Sequence, residues 1–170
     1  LLNRRSAALE PTKVFISYSH DSEAHSARVL KLANALRAQG VDAEIDQYYV
    51  RPESGWPHWM AERLRPDFAR FVIIVCTSTY LARVEKKVAA DEGRGVFWEG
   101  TLISNQIYVG KDNSRFVPVL FDDEPETSLP QPLQGQTRYR LRGFDDADRP
   151  HACAHVAATR SARSPPQSRE

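Results

Sequence analysis

The sequence predicts an α/β domain with five parallel strands, and three observations carry that prediction. Short β-branched and aromatic runs recur at residues 14–18, 41–46, 71–76, 116–121 and 137–141, and helix-period segments separate the first four. The third run, FVIIVC, is apolar at every position, as a strand covered on both faces must be. The first run, in VFISYSHD, breaks off into serines, a histidine and an aspartate, the way a buried strand opens onto a polar loop.

Taken in order, residues 1–12 are charged, aperiodic and interrupted by Pro11, and they are expected to form a linker ahead of a domain spanning 13–143. After the first strand, Asp21 or Ser22 can cap a helix, because a short side-chain oxygen accepts from an orphan backbone N–H. Val29, Leu32, Ala33 and Leu36 then form one apolar stripe, and Gly40 ends the helix. In VDAEID, Val41, Ala43 and Ile45 alternate with acidic residues, the pattern of a half-covered strand near a sheet edge. Pro52 and Gly55 mark a loop, and Pro57 opens a helix running to about Leu64. Residues 82–95 are charged and glycine-bearing, and an exposed excursion is expected there. A helix over 97–108 would turn Leu102, Ile103 and Ile107 inward. From 144 to 170 the chain is rich in Ala, Arg, Ser and Pro without apolar periodicity, and a poorly structured tail is expected. The sum is a flavodoxin-like three-layer fold with strand order 2-1-3-4-5 and helices on both faces.

Bulk properties narrow the function. Net charge is +1, which gives no electrostatic argument for a nucleic-acid or membrane-surface partner. FVIIV is far too short to span a bilayer, and LLNRRSAALE has no signal-peptide core. The chain opens on Leu rather than Met, so an upstream segment is expected. Two cysteines, Cys76 and Cys153, form neither a disulfide framework nor a metal motif and fit a reducing compartment, the cytoplasm. No metal or bound cofactor is called for. SYSHDSE contains no GxGxxG and no GxxxxGK[ST], and the chain has no GxSxG, so dinucleotide-fold, P-loop and hydrolase-triad readings are disfavoured.

In such a sheet, sites lie beyond the carboxyl ends of the strands at the switch point between strands one and three. That edge would gather Ser17, Tyr18, Ser19 and His20 from strand one, Asp46 from strand two and Thr77, Ser78 and Tyr80 from strand three, with Trp98 and Glu99 near the next helix start. Each has a plainer role as well. Asp46 can cap a turn, Trp98 can pack, and His20 with Asp21 can serve capping and solvation. Glu99 is favoured at a helix start by about 0.5 kcal/mol through the helix dipole alone.

VFISYSHDSE resembles the first box of the SEFIR domains, which share a superfamily with the TIR domains. LANALRAQGVDAEIDQY, SGWPHWMAERL with Trp56 and Trp59, FVIIVCTSTYLARVE, GVFWEGTLISNQIY and RFVPVLF are similar to the stretches that follow in bacterial members, over residues 13–141. The resemblance implies the same five-stranded fold, homotypic association with other SEFIR or TIR domains, and a part in intracellular signalling and antiviral defence. It implies contacts through the loop after strand two, here Tyr48, Tyr49, Arg51, Pro52, Gly55 and Trp56.

Many TIR domains cleave NAD⁺ at the nicotinamide–ribose bond with a glutamate close after a tryptophan. By that likeness Glu99 is the catalytic carboxylate and Ser17, Tyr18, Ser19, Asp46 and Trp98 are the substrate-binding residues. Trp98 and Glu99 are adjacent here, whereas TIR enzymes usually separate them by a few residues. A carboxylate there would stabilise, or trap, an oxocarbenium-like ribose. The alternative function is a non-enzymatic adaptor of the same fold.

Overall fold

Lys13–Ser17 (β1) extends because its inward residues Val14, Phe15 and Ile16 are all buried and pack on both faces of the sheet. The computed structural model describes residues 11–85, 103, 105–108 and 113–142. The remaining strands are Asp42–Glu44 (β2), Phe71–Val75 (β3), Phe116–Phe121 (β4) and Tyr139–Leu141 (β5). All pairings are parallel and the order is β2-β1-β3-β4-β5, as the sequence predicts. The register sets Ile16 beside Ile73 and Ile73 beside Val117.

Strand alternation divides the core in two. On one face Val14, Ile16, Ile73, Val75, Val117 and Val119 meet Val29, Leu32, Ala33 and Leu36 of the helix Glu23–Ala38 (α1). On the other, Phe15, Val72, Ile74 and Leu120 meet Trp59, Met60 and Leu64 at the helix Trp56–Arg63 (α2), Tyr80 and Val84 of the helix Ser78–Val84 (α3), and the helical residues Ile103 and Ile107. Burial of this kind is the main favourable term in folding.

The boundaries have local causes. Ser22, not Asp21, caps α1: its side chain accepts from the His25 backbone N–H at 3.0 Å. At the other end Gly40, at φ 78°, closes a Schellman motif. Its N–H reaches the Arg37 carbonyl at 2.9 Å, and the Val41 N–H reaches Leu36 at 3.1 Å. Val41 and Leu36 are both buried, which supplies the apolar contact that accompanies this cap. Gly55, at φ 76° and ψ 156°, precedes α2 in a conformation nearly restricted to glycine.

Two expectations change. Residues 82–84, expected to open an exposed excursion, instead belong to α3; Thr77 caps that helix, and Tyr80 and Val84, one turn apart, anchor it. The second strand is shorter than 41–46: a 3₁₀ turn, Asp46–Tyr48, begins at Asp46. Residues 86–95, Trp98, Glu99, Leu102 and the segments 1–10 and 143–170 lie outside the described residues. No helix among the described residues is long and apolar enough to cross a membrane.

Candidate functional site

The carboxyl ends of β1, β2 and β3 share a polar layer, and its centre is Asp46. Its Oδ1 accepts from the Tyr18 hydroxyl at 2.9 Å, and its Oδ2 lies 2.6 Å from His20 Nε2. Gln47 Nε2 donates to the Tyr18 hydroxyl at 2.8 Å and to the Ser26 carbonyl at 2.9 Å. The Tyr18 and His20 rings stand 4.7 Å apart. Because Gln47 already donates to the phenol oxygen, the phenol proton is directed at Asp46. Burial, then the Asp46 charge, holds the Tyr18 phenol well above its ordinary value, so it stays a donor at any physiological pH.

Beside this hub run hydroxyl pairs. Ser17 Oγ and the Tyr80 hydroxyl are 3.1 Å apart, as are Ser19 Oγ and Thr77 Oγ1. Thr77 Oγ1 also accepts the Tyr80 backbone N–H at 3.0 Å, so one hydroxyl both caps α3 and ties β1 to β3. Ser78 and Ser128 lie 3.2 Å apart, and Ser128 donates to Glu124 at 3.3 Å. Ser17, Ser19, Thr77 and Ser128 are each buried to within 1% of full exclusion. These hydroxyls satisfy one another where an unpaired one would cost about 1–3 kcal/mol.

The structure therefore brings Ser17, Tyr18, Ser19 and Asp46 to one edge, as the sequence suggests. Of these four, only Asp46 stands partly open, its side chain 19% exposed. Trp98 and Glu99 lie outside the described residues. Cys76, at the end of the central strand, is inert: burial pushes its thiol up to about 12, which leaves essentially no thiolate at neutral pH. No group of three or more His, Cys, Asp and Glu among the described residues could hold a metal ion.

A second surface adjoins the β2 edge. Tyr48, Val50 and Trp56 are exposed large hydrophobics within nine residues, and Val50 is 101% exposed. Arg51 is exposed, Gly55 is half-buried, and Pro52 is buried. Beneath the loop Trp59 meets Tyr49, Trp56 and Phe15 edge-on at 5.0, 5.6 and 5.8 Å. The Arg63 guanidinium lies over Phe68 at 4.3 Å and Trp59 at 4.9 Å, and its Nε is 3.9 Å from Glu44. Glu44 in turn accepts the Tyr49 hydroxyl at 2.7 Å. An open groove of about 390 Å³ borders the loop, lined by Asn34, Arg37, Glu44, Tyr48 and Tyr49. Sequence reasoning missed Asn34, Arg37 and Glu44; the one signal was that Asn34 and Arg37 are three apart, off the buried stripe of α1.

An all-parallel five-stranded sheet in the order 2-1-3-4-5, with helices on both faces, defines the flavodoxin-like class of α/β domain. The SEFIR domain family matches residues 12–146, and the chain belongs to that family. It is a TIR-like signalling domain, and SEFIR domains mediate homotypic interactions. A search of curated proteins gave no match.

Proposed function

We propose that this SEFIR domain signals by self-association through the loop of residues 47–56. The observation that carries the reading is the set of apolar side chains exposed there, Tyr48, Val50 and Trp56, above a packed base of Trp59, Tyr49 and Arg63. Aromatic anchors on a preorganised support are what binding hot spots are made of, and immobilising them in advance reduces the entropy cost of association. Sedimentation velocity of wild type against Val50→Asp tests this: the variant should self-associate more weakly, and unchanged association would move the contact surface away from this loop.

A second reading is that the assembled domain hydrolyses NAD⁺ at the nicotinamide–ribose bond, with Glu99 as the catalytic carboxylate and Asp46 in the substrate site. Asp46 favours it: two donors from the exit of β1 fix its carboxylate at the sheet's carboxyl edge while part of it stays open to solvent. A carboxylate has about four acceptor positions, so capacity remains for hydroxyl donors of a sugar. A carboxylate at Glu99 would stabilise positive charge developing on the ribose carbon, and such positioned groups contribute about 3–4 kcal/mol. Incubation of concentrated protein with NAD⁺ should release nicotinamide, and Glu99→Gln should lower the rate about 100-fold or more. Intact NAD⁺ with assembled wild type would leave the domain as a non-enzymatic adaptor.

A further inference from the structure

His25 is a titratable side chain inside the core that neither proposed role uses. It is 8% exposed and occupies the third residue of α1, four before Val29, so it extends the buried stripe by one turn. Its backbone N–H makes the capping bond to Ser22. Its ring stands edge-on to Phe121 of β4 at 5.7 Å and 81°, and 6.1 Å from Tyr18 at the exit of β1. Its Nε2 is buried without a hydrogen-bond partner. The imidazole thus joins the first turn of α1 to two strands, and one contact is the tyrosine that orients Asp46.

We propose that His25 is an acid-operated latch: a proton on its ring undoes the packing of the first turn of α1 against β1 and β4 and loosens the Tyr18–Asp46 hub. Three features oppose a charge at this position. The ring is buried. It lies at the positive end of the helix dipole. Arg28, one turn along α1, faces it with a like charge. The acidic groups around it are Asp21 from the preceding loop and Asp123 and Glu124 from the exit of β4. Asp123 is already held by Arg28 at 2.8 Å, and that guanidinium lies 4.0 Å over the Phe121 ring. From β1 the ring faces Tyr18, whose phenol has the His20 ring tilted against it at 4.7 Å. Burial, the largest effect, holds the imidazole below its ordinary value; Asp21 opposes it and Arg28 reinforces it.

The folded chain therefore binds this proton less well than the unfolded chain. The stabilisation is complete above the ordinary value of 6.5, falls as pH drops below it, and levels off beneath the folded-state value. Nothing in this latch depends on NAD⁺ cleavage or on self-association.

The test is a proton titration of the His25 ring by NMR in the whole chain, with urea unfolding of wild type and His25→Gln at pH 7.5 and pH 5. The ring should titrate below 6.5. Wild type should lose folding constant relative to the variant by about tenfold for each pH unit between the unfolded and folded values. Amide exchange, corrected for intrinsic rate, should accelerate at pH 5 first over residues 18–30. Parallel stability curves, or a ring titrating at or above 6.5, would overturn the proposal. If His25→Gln does not fold, the wild-type titration and the exchange pattern decide the matter alone.

Discussion

The carboxyl edge of the sheet and the loop of residues 47–56 begin at the same place, Asp46, and have opposite characters. At the edge, polar groups are turned inward and tied in pairs: Ser17 with Tyr80, Ser19 with Thr77, Tyr18 with Asp46. On the loop, apolar groups are turned outward: Tyr48, Val50 and Trp56. Each arrangement goes against the usual partition of polar and apolar side chains, and each is held by neighbours that conform to it. The edge is a largely buried network around a partly open carboxylate, Asp46, suited to fixing geometry. The loop is an exposed apolar face on a packed base, suited to meeting another surface. Changes to the base, the hub and the loop tip should separate these roles.

The largest effect should come from the loop's base. Trp59 is 3% exposed and touches Phe15, Tyr49, Trp56 and Arg63. Trp59→Ala should cost about 3–5 kcal/mol in urea unfolding, because a cavity opens under the loop and the sheet together. A cost below about 1 kcal/mol would show that loop and core are not joined through this ring.

The hub comes next. Asp46→Ala leaves the Tyr18 hydroxyl, on a residue 3% exposed, without its acceptor, and should cost about 1–3 kcal/mol. Adding Tyr18→Phe should recover part of that loss, since removing both partners of a buried hydrogen bond costs less than removing one. A double-mutant cycle reads the coupling directly. Purely additive losses would mean that Tyr18 and Asp46 do not act as a unit.

The sheet was legible in the sequence because burial on two faces writes itself as continuous apolar runs, and the strand order follows from the βαβ alternation. Even the inward set Val41, Ala43 and Ile45 could be read from alternation alone. Of the hub, only the meeting place was legible: the strand order brings Tyr18, His20 and Asp46 to one edge, but no periodicity reports the bonds they make across 28 and 26 residues. The same holds for Arg63, whose place among Phe68, Trp59 and Tyr49 depends on how α2 seats against the sheet. The helix α3 was legible in principle through the Thr77 cap and the Tyr80–Val84 spacing, but seven residues carry a weak periodic signal beside a charged stretch. His25 escaped because a histidine on an apolar stripe reads as polar until its burial is known.

The smallest effect on folding should come from the loop tip, and it separates the two regions most sharply. Val50 is fully exposed, so it contributes almost nothing to the packed core of a single copy. Val50→Asp should leave urea stability within about 0.5 kcal/mol of wild type. In an interface the same side chain would be buried, and burying a valine contributes about 1.5–3 kcal/mol. Replacing it with a carboxylate removes that gain and adds a charge to desolvate. Sedimentation velocity across a concentration series should therefore show self-association weakened by about tenfold or more, while the unfolding midpoint stays in place. Unchanged association would move the contact surface away from this loop. A large loss of stability would mean that the tip belongs to the fold rather than to its partner.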